Sequence, residues 1–257
     1  MSSVAIALYA HRGAAAELPE NTLPAFLRAL ERGATAIETD CHLTKDGHVV
    51  LSHDPAVMGA DGTLHRIAES TLEQVKTWNV ARGHPGTFTI PTLEEALEHL
   101  RGVPFNVDCK PPGPQAAQAL VRAVRGMRAE ERVLIASFRT RTLRYVRHLG
   151  YEGKTGLGRW EIARLLILPL SLLRAVRVQG NAAQVPTRAF GVRLDTRRFV
   201  DKCHALGLLV HYWTIHDPRE ARRLVDLGAD GVMTDDPRLI APSLGLRSRP
   251  GRVQDEA

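Results

Sequence analysis

Two histidines and two carboxylates near the start of the chain have the types and spacing that phosphate chemistry needs. His11 and His53 each stand where an apolar run stops, and Glu38 and Asp40 lie between them. If the segment around Glu38 and Asp40 is a strand, both carboxylates project from one face, where two like charges are costly unless a cation lies between them. Histidine carries protons near neutral pH. The combination indicates metal-assisted attack on a phosphate ester.

Two predicted strands and a turn must bring these four side chains together. The apolar run 4–10 predicts a first strand that ends at His11, and the segment 34–41 predicts a second strand that carries the two carboxylates. A hairpin-type turn at 45–48 then returns the chain, so that His53 comes to the same end of the sheet as these carboxylates.

The rest of the chain alternates strand and helix signals. About eight strand–helix units follow one another, which is the number that a closed parallel barrel needs, and 257 residues is the size of about one such barrel. We therefore predict an α/β fold, a TIM (β/α)8 barrel, in a single domain over 1–246. The weakly patterned segment 56–90 predicts a small insertion after the second strand, over the barrel mouth. The polar segment 247–257 predicts a disordered tail.

In such barrels the C-terminal ends of the strands form one rim, and the active site lies there. Asp108 and Lys110 share one face of a later strand by their period-two spacing. Seven side chains of chemical interest fall at or near predicted strand ends, and these are His11, Glu38, Asp40, His53, Asp108, Lys110 and Trp213. Exposed surface carboxylates are the alternative for Glu38 and Asp40, but their apolar flanks favour a buried strand.

These motifs, in this order, closely resemble the signature of the glycerophosphodiester phosphodiesterase family. The likeness is carried by HRG, ENT, ETD, TKDG and HDP over 11–55. It extends over most of the chain through PTLEEAL (91–97), NVDCKP (106–111), HYWTIHD (211–217) and GADGVMTDDP (228–237). The resemblance implies a TIM-barrel phosphodiesterase whose small-molecule substrates are glycerophosphodiesters and whose products are glycerol 3-phosphate and an alcohol.

Each charged residue at the predicted rim has an expected role. Glu38, Asp40 and Asp108 are expected to hold one divalent metal ion, Mg²⁺ or Ca²⁺, because ligation by oxygen alone favours these ions over Zn²⁺. Arg12 and Lys110 are expected to bind the phosphate and to neutralise the charge that gathers on it.

Proton transfer is assigned to His11 and His53, as a general base and a general acid whose order the sequence leaves open. The nucleophile is either a water molecule held by the metal or the neighbouring glycerol hydroxyl, which would form a cyclic intermediate that water opens later. The family usually has Glu where this chain has Asp108, and the missing methylene shortens the reach of that carboxylate. Asp108 is therefore either a metal ligand or chiefly the partner of Lys110.

Two residues are assigned to the substrate pocket with an alternative beside each. Glu20 belongs to the ENT motif, and the family resemblance implies that it lies at the site. The alternative is that the motif serves only as a helix cap, for which Asn21 and Thr22 are equally suited. Trp213 is either a wall of the pocket or a core residue. Asp235 and Asp236 precede a proline and are interpreted as turn residues that close the barrel. Eight further histidines are predicted to be structural, and these are His42, His65, His84, His99, His148, His204, His211 and His216.

Composition indicates the cellular context. The formal net charge of +6 is compatible with phosphate-bearing ligands, anionic membranes or nucleic acid. Cys41, Cys109 and Cys203 lie in apolar runs, which is typical of buried reduced thiols. The N-terminal apolar run leads directly into the first site motif and does not resemble a signal peptide. We therefore expect a cytoplasmic protein, and the sequence does not determine its oligomeric state.

The sequence allows two alternatives to a small-molecule phosphodiesterase. The segment 162–176 is apolar, but it is too short and too interrupted by arginine and Pro169 to span a bilayer. It is either a barrel helix with a proline kink, which we favour, or an apolar lip in peripheral membrane contact, in which case the activity would be that of a lysophospholipase D. A non-enzymatic phosphate- or nucleic-acid-binding barrel has only the net charge in its support, so no nucleic-acid partner is expected.

Overall fold

The computed structural model describes residues 6–81, 83–189 and 191–247, in which strands and helices alternate. The strands are β1 (Ala7–His11), β2 (Ala36–Leu43), β3 (Val49–Leu51), β4 (Ala56–Met58), β5 (Leu64–Arg66), β6 (Phe105–Cys109), β7 (Val133–Ala136), β8 (Ala182–Val185), β9 (Arg188–Ala189), β10 (Val192–Arg193), β11 (Leu209–Tyr212) and β12 (Gly231–Thr234). The helices are α1 (Leu23–Glu31), α2 (Leu72–Lys76), α3 (Leu93–His99), α4 (Pro114–Gly126), α5 (Thr140–His148), α6 (Arg159–Ile167), α7 (Leu170–Ala175), α8 (Arg197–His204), α9 (Pro218–Asp226) and α10 (Pro237–Ile240). Apart from its first residue, the tail that was predicted to be disordered lies outside the described residues.

Parallel strands form the wall of a barrel. The main sheet has the order β7, β6, β2, β1, β12, β11, β8, and each neighbouring pair is parallel. The segment 154–157 closes the gap between the two ends of this sheet. The amide of Gly156 donates to Ile135 O and the amide of Leu157 donates to Ala182 O, each at 2.9 Å. The predicted TIM barrel is confirmed, with this segment in place of a regular strand.

Local sequence signals set the ends of the helices. Thr22, and not Asn21, caps α1, because the Thr22 side chain accepts from a backbone amide of the first turn. Gly33 follows the helix with φ 93°, a left-handed conformation that glycine adopts without steric cost. Thr92 and Glu95 form a capping box at the start of α3.

Alternation along the strands separates the two sides of the barrel wall. Ile37, Cys41 and Val107 are fully or almost fully buried in the apolar layer between the sheet and the helices. Cys41, Cys109 and Cys203 are free buried thiols, as their apolar surroundings in the sequence predicted. Glu38 and Asp40 alternate with Ile37 and Cys41 along β2, and Asp108 follows Val107 on β6, so these predicted site carboxylates point to the barrel interior.

A polar layer crosses the barrel interior. Gln184 Nε2 donates to Asn106 Oδ1 at 2.9 Å and lies 3.2 Å from His211 Nδ1. His211 is 1% exposed, and its burial lowers its pKa to about 4, so the ring is neutral at pH 7. An unprotonated Nδ1 can accept the amide hydrogen of Gln184. The contacts of His211 agree with the structural role predicted for it.

The predicted insertion forms a small unit beside the turn between β2 and β3. In it β4 and β5 form an antiparallel hairpin, and α2 follows with Thr71 as its cap. Its apolar side chains pack with Val50 of β3 and Ile90 in a separate small core. The antiparallel pairing of β2 with β3, in which Cys41 lies opposite Leu51, returns the chain as the hairpin turn predicted.

The segment 162–176 is not one kinked helix. The first helix, α6, ends at Ile167, and a second helix, α7, begins after Pro169. The break follows from the proline, because its ring lacks the amide hydrogen and clashes with the preceding turn of a helix. Within the described ranges, no helix combines the length and the apolar character needed to cross a membrane.

Candidate active site

The register of three neighbouring strands brings the predicted carboxylates together. His11 on β1 lies opposite Glu38 on β2, and Asp40 on β2 lies opposite Asp108 on β6. Glu38, Asp40 and Asp108 are only 5%, 2% and 6% exposed. Parallel pairing at one rim therefore places four of the predicted site residues on adjacent strands.

Lys110 lies between two of these carboxylates. Its Nζ is 2.7 Å from Asp40 Oδ1 and 2.7 Å from Asp108 Oδ2. Burial alone would lower the pKa of Lys110, but the negative charges of Asp108 and Asp40 outweigh burial and raise the pKa. The lysine is therefore charged at neutral pH. Of the two roles that the sequence left open for Asp108, the pairing with Lys110 is present in the structure.

Arg12 is the second cation beside the carboxylates. Its Nε lies 3.2 Å from Asp40 Oδ2, and its Nη1 donates to Glu20 Oε2 at 3.2 Å. The backbone of Arg12 has φ 59°, a left-handed conformation that is uncommon for a residue with a side chain. Its amide donates to Glu38 O at 2.9 Å, which ties this turn to β2. Glu20 thus reaches the site through Arg12.

The buried negative charge is not fully compensated by these two cations. Burial raises the pKa of Glu38 well above its usual value, and the charges of Asp40 and Asp108 raise it further. In the part of the chain that the structure describes, Asp40 Oδ2 and Asp108 Oδ1 are buried without a hydrogen-bond partner. Although Arg12 Nε is close to Asp40 Oδ2, the pair lacks hydrogen-bond geometry.

The chemistry of these oxygen donors fits a hard divalent cation, because Mg²⁺ and Ca²⁺ prefer carboxylate oxygen. An ion at this position would supply the charge that the unpartnered oxygen atoms lack. As the side chains stand, no three His, Cys, Asp or Glu residues over 6–81, 83–189 and 191–247 are grouped closely enough to hold a metal ion.

His11 is fixed by a residue that the sequence assigned to a turn. Its Nδ1 lies 2.6 Å from Asp235 Oδ1, and its Nε2 lies 3.9 Å from Glu38 Oε2. Burial tends to raise the pKa of Asp235, but the hydrogen bond with His11 and the nearby positive charges together outweigh burial and lower the pKa. An ionised Asp235 accepts the Nδ1 hydrogen, so that Nε2 is left facing the carboxylates. His216 Nε2 lies 3.7 Å from the other oxygen of Asp235.

His53 has a similar but more exposed arrangement. Its Nδ1 lies 2.8 Å from Asp54 Oδ1, and its side chain is 35% exposed. The preceding amide, that of Ser52, donates to Asp40 O and anchors this turn to β2. Burial raises the pKa of Asp108, while the positive charges of Lys110 and His53 counteract this rise. In the described part of the chain, the His53 side chain makes no hydrogen bond or ion pair with any of the three carboxylates.

Aromatic side chains form one wall of the site. Trp213 and Phe138 are in edge-to-face contact, with ring centroids 5.7 Å apart. Phe138 is 51% exposed, and Lys110 Nζ lies 5.8 Å from the centroid of its ring. Trp213 also packs against the small apolar cluster of Tyr9 and Met233 inside the barrel. Trp213 therefore contacts both the core, through the Tyr9 and Met233 cluster, and the wall of the site, through Phe138.

Two residues of the site were missed from the sequence. Asp236 does cap α10 as a turn residue, but the interpretation of Asp235 as turn chemistry alone was wrong because Asp235 holds His11. Its position directly after β12 was the available signal, since β12 neighbours β1 in a closed barrel. Phe138 follows β7 in the same way, but no motif marked it.

Comparisons with known proteins agree with this geometry. The model of the glycerophosphoryl diester phosphodiesterase family matches residues 11–239. A glycerophosphodiester phosphodiesterase of Caldanaerobacter subterraneus subsp. tengcongensis is 32% identical over 239 residues, which covers 90% of this chain and 94% of the relative. A lysophospholipase D of Rattus norvegicus is 28% identical over 272 residues, with 93% of this chain and 86% of the relative covered.

A solved structure has the same fold with a product bound. The phosphodiesterase of Oleispira antarctica, in complex with the product sn-glycerol-3-phosphate, superposes with a TM-score of 0.77 at 25% identity. The superposition covers 93% of this chain and 96% of that one. With the barrel, the rim carboxylates and the family match over almost the whole length, the chain belongs to the glycerophosphoryl diester phosphodiesterase family and is a phosphoric diester hydrolase.

Proposed function

We propose that this protein is a metal-dependent phosphodiesterase that hydrolyses glycerophosphodiesters to glycerol 3-phosphate and an alcohol. The observation that carries the proposal is the convergence of three buried carboxylates, two cationic side chains and an anchored histidine at one rim. The product bound to the Oleispira relative supports the glycerol phosphate half of the substrate.

Glu38, Asp40 and Asp108 would hold one divalent cation, Mg²⁺ or Ca²⁺. The buried unpartnered oxygen atoms of Asp40 and Asp108 support this assignment. When bound, such a cation neutralises negative charge on the phosphate and polarises its oxygen atoms.

Arg12 and Lys110 would bind the phosphate without releasing their present partners. A lysine ammonium has three hydrogens, and Lys110 uses two of them on Asp40 and Asp108. A guanidinium has five N–H donors, and Arg12 commits one to a hydrogen bond with Glu20. The spare donors of both side chains are thus available to phosphate oxygen atoms.

His11 and His53 would transfer the protons. Because Nδ1 of each ring faces a carboxylate, Nε2 is the nitrogen available for the reaction. One ring accepts a proton from the attacking group, which is water or the neighbouring glycerol hydroxyl, and the other donates a proton to the departing alcohol oxygen. If the hydroxyl attacks, water then opens the cyclic phosphate to give glycerol 3-phosphate. Glu20 would support the pocket through Arg12, and Trp213 would line it.

A lysophospholipid is the second candidate substrate, with the protein acting as a lysophospholipase D. The exposed ring of Phe138 beside Trp213 gives an apolar wall within 6 Å of the charged cluster. Such a wall suits the acyl chain of a lysophospholipid, which stays on the glycerol phosphate half of the substrate when the head-group alcohol leaves. The similarity to the rat lysophospholipase D supports the same candidate.

The products test the proposed function directly. Glycerophosphocholine should give glycerol 3-phosphate and choline in equal amounts, measured by coupled assays with glycerol-3-phosphate dehydrogenase and choline oxidase. Lysophosphatidylcholine in parallel ranks the second candidate. A protein with both site histidines replaced by alanine, purified in the same way, gives the background. Release of phosphocholine and glycerol would contradict the assigned bond cleavage.

Asp235→Asn should lower kcat by about 10- to 100-fold, as removal of the residue that orients an acting histidine commonly does. KM should change little, because Asp235 lies behind His11 and not beside the phosphate-binding side chains. Asp236→Asn is the matched control: the asparagine still caps α10, and Asp236 has no contact with His11. Equal effects of the two substitutions would mean that Asp235 only stabilises the fold.

A further inference from the structure

We infer that the outer face of α6 and α7 is a docking surface for an anionic lipid bilayer. This α6–α7 face consists of four apolar side chains, Trp160, Ile167, Leu172 and Val176, and of three exposed arginines, Arg159, Arg164 and Arg177.

The apolar side chains of the α6–α7 face are turned away from the protein. Trp160 is 69% exposed and Ile167 is 79% exposed, while Leu172 and Val176 are 44% and 45% exposed. Of the ten large apolar side chains that are exposed in the described part of the chain, these four lie within 17 consecutive residues. Scattered single apolar residues are normal on a protein surface, but a cluster of this kind marks an interaction site.

Helical spacing gathers these side chains into stripes. Trp160, Arg164 and Ile167 are at positions i, i+4 and i+7 of α6 and therefore share one face. Leu172 and Val176 are likewise at positions i and i+4. The inward positions are taken by Leu165 and Leu173, which are 0% and 1% exposed. Each helix thus has an apolar inner side and, unusually, a second apolar stripe on the outside.

The charge of the α6–α7 face is entirely positive on its exposed surface. None of its three arginines takes part in an ion pair with the residues that the structure describes. The one acidic residue of the two helices, Glu161, is paired with Arg147 at 2.6 Å, and its side chain is 14% exposed. Apolar side chains beside unpaired arginines match the interface of a bilayer, where the rings and aliphatic chains enter the acyl boundary and the guanidinium groups meet phosphate.

The same charge disfavours a second copy of the chain as the occupant. A two-fold dimer through this face would bring three arginines against the same three arginines. The helices have nine and six residues, so they would lie on the bilayer and not cross it.

The α6–α7 face begins at the rim of the barrel. The amide of Arg159 donates to Phe138 O at 3.0 Å, and the amide of Trp160 donates to Thr140 Oγ1 at 3.2 Å. Phe138 is the residue that forms the site wall with Trp213. Docking would therefore bring the mouth of the site close to the bilayer. Bilayer binding does not depend on the proposed reaction, so it can be measured without turnover.

Sedimentation with detergent-free vesicles tests the inference. The protein should bind vesicles of equal parts phosphatidylglycerol and phosphatidylcholine, and should bind phosphatidylcholine vesicles at least about 10-fold more weakly. Ile167→Ser should weaken binding to the mixed vesicles about 10-fold. Arg164→Ser should weaken it about 5-fold at low salt, and the effect should shrink as salt screens the charges.

Leu27→Ser is the matched control, because Leu27 is 46% exposed on α1, between β1 and β2, on the other side of the barrel. It should bind vesicles as the unaltered protein does. Circular dichroism and turnover of a water-soluble glycerophosphodiester should be the same for all variants. No sedimentation of the unaltered protein, or equal binding by Ile167→Ser and Leu27→Ser, would overturn the inference. A dimer in solution that Ile167→Ser dissociates would identify a second copy as the occupant instead.

Discussion

Chelation is expected to lower the rate of glycerol 3-phosphate release by at least about 100-fold, and Mg²⁺ or Ca²⁺ to restore it. A bound cation contributes several kcal/mol to charge stabilisation in phosphoryl chemistry, and about 1.4 kcal/mol corresponds to a ten-fold change in rate. The buried oxygen atoms of Asp40 and Asp108 without hydrogen-bond partners are the reason to expect a cation here. The rate is measured after dialysis against EDTA and again after each metal ion is added back.

Calorimetric measurement of metal binding tests the metal site independently of turnover. Calorimetric titration should give at least a ten-fold weaker metal affinity for Asp40→Asn, because a charged oxygen ligand is lost. Glu69→Gln is the control, since its side chain is 75% exposed and is paired with Arg66 and not with a residue of the site. Undiminished turnover in excess chelator would refute the metal dependence while leaving the phosphodiesterase activity intact.

The stability of the metal-free protein should also respond to Asp40→Asn. Repulsion between Glu38 and Asp40 alone would predict that removal of one carboxylate relieves strain and leaves the fold largely intact. In the structure Asp40 is a partner of both Lys110 and Arg12, at 2.7 and 3.2 Å. Removal of one member of a buried ion pair is destabilising because it leaves charge uncompensated. We therefore expect a lower melting temperature for this variant in EDTA.

This difference illustrates which parts of the site could be predicted from the sequence. Glu38, Asp40 and Asp108 could be placed together because their period-two spacing sets their face and parallel pairing in a barrel sets their neighbours. His11 could be placed because the first apolar run ends there. The fold was predictable for the same reason, since alternating strand and helix signals in a chain of 257 residues allow few other closed arrangements.

Other features depend on side-chain positions that no local pattern encodes. Asp235 is 224 residues from His11 in the chain, and they meet only because the last strand pairs with the first. Lys110 was predicted to contact the phosphate, but the length and flexibility of its side chain allow it to bridge two carboxylates as well. The exposed apolar stripe on α6 could not be recognised in the sequence, because the inward positions of the helix are equally apolar. Only the burial of the side chains in the structure distinguishes the exposed Ile167 from the buried Leu165.

His11→Ala and His53→Ala are each expected to lower kcat by about two to four orders of magnitude, the usual contribution of general acid–base catalysis. The loss should be larger for His11, which is held by Asp235 at 2.6 Å and is 18% exposed, than for the 35%-exposed His53. The more buried ring is better oriented before the reaction, so more is lost with it. Single-turnover rates with glycerophosphocholine measure the effect on chemistry separately from product release.

His204→Ala is the matched control for both substitutions. His204 also pairs with an aspartate, Asp230, at 2.9 Å, but it lies on α8, outside the barrel, and its removal should leave turnover unchanged. A single site variant with near-normal turnover would make that histidine structural. The double variant, His11→Ala with His53→Ala, should lose much less than the product of the two single losses. If the acid and the base act in the same step, each depends on the other. Once one is removed, removal of the second therefore lowers the rate little further. Strictly multiplicative losses would instead mean that the two rings serve separate steps.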